Sequence, residues 1–135
     1  MSDTPDETIE ESSEVAEVPE PEMFGCLMTD SRGQLVLHVD RDRYLDVAKQ
    51  LADEGYAMCV DLTAVDYSEH MERALPSSVA AERFEVVVNL LDITHRRRIR
   101  LRVQVPEGDA KVATLFDLHP GTEAMEREVF DMFGI

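Results

Sequence analysis

The chain has 135 residues, enough for one domain, and 44% of them are hydrophobic, so it can build a core. Its 29 acidic and 13 basic residues give a formal net charge of −16, which counts against a protein that grips nucleic acid by bulk charge. Cys26 and Cys59 stand far apart and outside any CxxC, which argues against a disulfide framework or a zinc site and fits a reducing cytoplasm.

The charge is unevenly placed. Residues 1–22 hold nine acids and no lysine or arginine, and the rest of the chain, with 20 acids and 13 bases, carries only −7. A segment with that charge and few large apolar groups cannot bury enough surface to order itself. Residues 1–30 are therefore expected to be a disordered acidic tail, and residues 31–135 the folded domain. The tail reads as a solubility segment, with docking to a basic partner as the alternative. No apolar run approaches the roughly 20 residues of a membrane span. An acidic beginning is not that of a signal peptide.

Gln34-Leu-Val-Leu-His-Val39, bounded by Arg32-Gly33 and Asp40, predicts a first strand. Asp40 is a candidate N-cap for a helix over 41–54, whose Tyr44, Val47, Ala48 and Leu51 form one apolar stripe, and Gly55 supplies its stop. Residues 56–67 predict a strand with Met58, Val60, Leu62 and Ala64 on one face. Residues 68–81, with Pro76 and two serines, predict a loop.

Residues 84–93 and 98–105 are the clearest strands. In the second, Ile99, Leu101, Val103 and Val105 alternate with Arg98, Arg100, Arg102 and Gln104. A two-residue turn at His95-Arg96 would set Val88 opposite Val103 and Leu90 opposite Leu101, and a one-residue slip would set apolar side chains against arginine. Pro106 ends the pairing. A helical turn is expected over 110–115. Gly121-Thr122 opens a last helix in which Met125, Val129 and Met132 share a stripe flanked by Phe130 and Phe133, and Glu123, Arg127 and Asp131 can pair along the exposed side. The order β-α-β-β-β-α predicts an α+β fold, a mixed twisted sheet of about four to five strands with helices packed on one face.

Three features could carry chemistry. Glu126, Glu128 and Asp131 are clustered acids, but an acid–base pair needs a cleft that splits their pKa values, and these lie on an amphipathic helix around Arg127. The arginine row over 96–102 could hold phosphate, yet the domain is net acidic and these strands lack stacking aromatics. The plain reading of the row is a solvated strand face paired with neighbouring acids of the chain, and Arg98, Arg100 and Arg102 read better as a stiff edge for ion pairs with another protein. His38, His70, His95 and His119 show no ligand spacing. No phosphate loop, GxSxG or Cys/His nucleophile pattern is present. No catalytic, cofactor-binding or metal-binding residue is expected.

Two segments carry a resemblance: Glu82-Arg-Phe-Glu-Val-Val-Val-Asn-Leu-Leu-Asp-Ile-Thr-His-Arg-Arg-Arg-Ile-Arg-Leu-Arg-Val103 and Glu126-Arg-Glu-Val-Phe-Asp-Met-Phe-Gly-Ile135. They resemble the 30-kDa-type subunit, the C-type subunit, of bacterial NADH-quinone oxidoreductase, or respiratory complex I. The ERE-aromatic-D-x-aromatic-G-I string is the specific part, and the likeness spans about residues 34–135. It implies a non-catalytic subunit of the peripheral arm, on the cytoplasmic side of the membrane, without its own FMN or iron-sulfur cluster. Partners would be the subunits that hold the terminal cluster and shape the quinone site, in a complex that passes electrons from NADH to quinone and pumps protons. Glu126, Arg127, Glu128, Phe130, Asp131, Phe133 and Gly134 are then signature and interface residues. The family continues past Phe-Gly-Ile into a basic, proline-containing segment, so the chain reads as cut short there. The equivalent subunit of a membrane-bound hydrogenase or other-donor quinone reductase is the alternative. A free-standing acidic interaction or nucleic-acid module is the third reading.

Overall fold

A computed structural model describes residues 21–69 and 72–135. The acidic segment 1–20 and His70 lie outside the described residues. Residues 22–30, assigned to the tail, instead belong to strands β1 (Glu22–Met23) and β2 (Cys26–Ser31) and the turn between them. The expected first strand is thus β3 (Gln34–Val39). Two tight turns join these three strands. Phe24-Gly25 and Arg32-Gly33 each have positive φ at both positions, the geometry of a type I′ hairpin. Asp30 Oδ1 accepts from the Gly33 amide at 2.7 Å.

The chain continues through a 3-10 turn (Arg41–Arg43) into α1 (Tyr44–Asp53), then β4 (Met58–Asp66), β5 (Phe84–Asp92), β6 (Arg97–Val105) and α2 (Glu123–Phe133). The fold is α+β, as expected, and the described residues form a sheet of six strands rather than four or five, in the order β1-β2-β3-β6-β5-β4. Among the described residues only the β3–β6 pairing is parallel. Asp40 precedes the first turn through its backbone carbonyl, which accepts from Arg43 N, and its side chain makes no cap bond.

The β5–β6 hairpin closes with a four-residue loop over 93–96, not a two-residue one. Val88 pairs with Leu101, Leu90 with Ile99 and Asp92 with Arg97. The register moves by two, so apolar still faces apolar. Asp92 sets the longer loop. Its carboxylate takes the His95 amide at 3.2 Å and the His95 ring at 2.8 Å, while Arg97 closes on it at 2.6 Å. In β4 the pairing slips between Cys59 and Asp61. That bulge puts Cys59 opposite Leu90 and leaves Met58 and Val60 exposed, against the expected single face.

One face of the sheet carries the core. Leu37, Val39, Leu62, Ala64, Val86, Val88, Leu90, Ile99, Leu101, Val103 and Val105 meet Tyr44, Val47, Ala48 and Leu51 of α1 and Val129 of α2. Burying each such aliphatic side chain contributes about 1.5–3 kcal/mol. The expected turn over 110–115 is absent. A 3-10 turn spans Glu107–Asp109, and the chain then runs irregularly to a second at Pro120–Thr122. This stretch is anchored by Leu115, which is fully buried.

Candidate functional site

Two surfaces gather the residues singled out from the sequence. The first is α2. Its inward side is Met125, Val129 and Phe133, at i, i+4 and i+8, with Phe133 edge-on to Phe84 at 6.1 Å between ring centroids. Phe133, having that aromatic partner, takes the inward place expected for Met132, which is 71% exposed. Glu126 is a clamp: its carboxylate accepts from Thr114 Oγ1 at 2.6 Å and from the Leu115 amide at 2.8 Å. It ties the irregular 110–119 stretch to the helix. Gly134 ends α2 in the left-handed conformation, its amide donating to the Phe130 carbonyl.

The outward side of the same helix is Arg127, Glu128, Phe130, Asp131 and Met132. All are exposed, Phe130 by 63%. Among the described residues no ion pair joins Glu123, Arg127 and Asp131. The signature therefore splits. Glu126, Phe133 and Gly134 hold the helix in place, while Arg127, Glu128, Phe130 and Asp131 face away from the chain.

The second surface is the sheet face opposite the helices, where Arg100, Arg102 and Gln104 of β6 stand beside Glu85 and Asn89 of β5. Arg102 grips Glu85 with two bonds, at 3.0 and 2.9 Å, and donates to the Ala74 carbonyl at 3.0 Å. Gln104 donates to the same carboxylate at 2.6 Å. Arg73 completes the cluster, 3.6 Å from Glu85, bonded to the Glu82 carbonyl and to Gln104, and stacked 3.9 Å from the Tyr67 ring centroid. The segment expected to be a featureless loop thus lays Arg73 across the sheet. Arg102, a candidate for contact with another protein, has its charge engaged within the chain. Arg100 makes one bond, Nε to Asn89 Oδ1 at 3.2 Å, and Arg98 is exposed. Arg97 lies on the helix face. It reaches Asp92 and the Glu54 carbonyl and stacks over Tyr56.

Cys26 and Cys59 are free, and burial raises both thiols, Cys59 to about 11, so neither is a thiolate at neutral pH. His38 and His119 are buried, and burial lowers both. Among the described residues no group of three or more His, Cys, Asp or Glu stands where it could hold a metal ion, and no helix is long and apolar enough to cross a membrane. Nothing in the sequence singles out Glu85, Arg73 or Asp92. The one signal for Glu85 and Asp92 is an acid on a strand opposite an arginine, which pairs only once the register is known.

Residues 37–135 match the protein family described as respiratory-chain NADH dehydrogenase, 30 Kd subunit. A relative from Saccharopolyspora erythraea, the C-type subunit of an NADH-quinone oxidoreductase, is 35% identical over 111 residues, which cover 80% of this chain and 41% of that one. Its namesake from Roseiflexus castenholzii is 40% identical over 110 residues, 79% of this chain and 58% of that one. The chain thus spans about two fifths to three fifths of the length of these relatives. Among solved structures, the trypsin-resistant fragment (1-134) of Nqo5 superposes with a TM-score of 0.72 at 27% identity, covering 96% of this chain and 92% of the fragment. A chain of an archaeal membrane-bound sulfane sulfur reductase, at 21% identity and a TM-score of 0.66 over 98% of this chain and 69% of that one, shares the fold.

Proposed function

The chain belongs to the respiratory-chain NADH dehydrogenase 30 Kd subunit family, and from that premise we propose that it is a non-catalytic structural and assembly subunit of a proton-translocating NADH-quinone oxidoreductase. It sits in the peripheral arm, on the cytoplasmic side of the membrane. Its partners are the subunits that hold the terminal iron-sulfur cluster and shape the quinone site. FMN and the clusters belong to those partners, and NADH and quinone are substrates of the whole complex.

The observation that carries this reading is the divided signature on α2. Residues held only for folding would point inward, yet Arg127, Glu128, Phe130 and Asp131 point out, with Met132 among them. An exposed phenylalanine and methionine beside an arginine is the composition of an interface centre rather than of a solvated helix face. Glu126 and Phe133 hold that face rigid. A preorganised surface loses less freedom on docking. Arg98 and Arg100 offer a second contact, for an acidic partner.

The test is purification in two states. Alone, the chain shows no visible absorption and no NADH oxidation. Tagged in its own cells and extracted gently from membranes, it elutes with the other hydrophilic-arm subunits and with NADH-quinone oxidoreductase activity. Its recovery from membranes as an unaccompanied protein would overturn the proposal.

A further inference from the structure

On the sheet face away from the helices lies a groove of about 720 Å³ that no residue of the α2 signature lines. Its walls include Pro21, Met28, His38, Leu75, Arg100 and Arg102. The two arginines differ. Arg102 is neutralised by Glu85, but among the described residues no acid pairs with Arg100, nor with Arg98 two places earlier on the same face. The acids at the groove are already occupied: Glu85 by Arg102, and Asp30 by the Gly33 amide. His38, 7% exposed, adds a second unmet need. Its Nε2 is 2.9 Å from Thr29 Oγ1, and its buried Nδ1 has no partner. With the Thr29 hydroxyl donating to Nε2, Nδ1 carries the proton and calls for an acceptor.

We propose that the groove is filled by the chain's own acidic N-terminal segment, residues 1–20, which lays its carboxylates along Arg98 and Arg100. The segment carries eight acids and no lysine or arginine, and it joins the described fold at Pro21, a wall of the groove. Pro21 is fixed there, its carbonyl accepting from the Met28 amide at 2.8 Å. Met28 pairs with Leu37, and Leu37 with Leu101. The chain therefore enters on the β1 side, three strand spacings from β6, about 14 Å away. Twenty extended residues reach at most about 70 Å, so the row is within range of carboxylates close to Pro21. Because the segment is tethered, a modest attraction acts at high effective concentration. In the free chain the tail thus covers the row that would otherwise meet an acidic partner. The groove and its charges support this independently of the α2 surface.

The experiment is ¹⁵N NMR of the whole chain. The probes are the Arg100 Nε–H signal and the amides of 36–38 and 98–102. The comparison is a variant with all eight acids of residues 1–20 changed to Asn or Gln, which alters nothing in the described fold. At about 0.01 M salt the two chains are expected to differ at these signals, and at about 1 M, where the screening length falls to about 3 Å, to coincide. Arg100→Glu should abolish the low-salt difference. Identical low-salt signals in the two chains would overturn the proposal, including the case where inorganic phosphate shifts both alike, which marks a general anion site. A difference that fades on dilution would also overturn it, since the occupant would then be the tail of a second copy.

Discussion

Arg102 and Glu85, on neighbouring strands, meet side-on through two bonds of 3.0 and 2.9 Å, with Glu85 only 2% exposed. A buried carboxylate that loses its partner is left as an uncompensated charge, at a cost of about 3–5 kcal/mol. Gln104 and Arg73 would remain beside Glu85, so Arg102→Ala should destabilise the chain by about 2–4 kcal/mol. Urea unfolding measures it. A loss below about 0.5 kcal/mol, the level of an ordinary surface change, would show that the pair is incidental.

Arg100 on the same strand should behave differently. Its one bond is to Asn89. Arg100→Glu should change stability by no more than about 0.5 kcal/mol while weakening recovery of partner subunits. The binding loss is large only if the face is desolvated in the complex. Unfolding of the isolated variant would show that the arginine row is structural throughout.

Gly55 lies against Asp92. It has φ +114°, and a Cβ there would sit 2.7 Å from Asp92 Oδ2. The carboxylate cannot swing aside freely, because Arg97 and His95 hold it. Gly55→Ala should therefore cost about 1–3 kcal/mol, read as a lowered melting temperature. An unchanged melting temperature would mean that the α1–hairpin contact is loose.

Stability should also fall on mild acidification. Burial, with Arg102 nearby, holds His38 below its usual pKa, and burial alone does so for His119. As pH drops below about 6.5 the unfolded chain takes up these protons before the folded one, so folding loses ground through that window and is flat above it. His38→Gln should flatten part of the slope. Below about pH 4 a further loss is expected from Asp92, which Arg97 and His95 hold at about 2. Equilibrium unfolding across about pH 2–8 checks both, and a level profile from pH 7 to 5 would contradict the histidine account.

Periodicity makes much of this fold legible. The stripe on α1 and the strict alternation in β6 both name the buried residues. Where the sequence misleads, the cause is a side chain acting at a distance or a backbone irregularity. Phe24-Gly25 and Arg32-Gly33 make type I′ turns without the usual Asn or Asp, so β1 and β2 read as part of the tail. Asp92 lengthens the hairpin loop by two residues, and the β4 bulge turns Met58 and Val60 outward. The terminal signature is readable as a string, but not its division, because Glu126 meets Thr114 and Leu115 only once the irregular stretch has folded back.

The central claim is that the outward half of α2 docks onto the rest of the complex. It is tested by comparing tagged wild-type chain with Phe130→Glu, a change at a position 63% exposed and therefore tolerable to the fold. Thermal melts should agree. Recovery of the hydrophilic-arm subunits from membranes should drop by about 30-fold, the effect of losing an interface anchor of about 2 kcal/mol. Equal recovery of those subunits by the two chains would contradict the account.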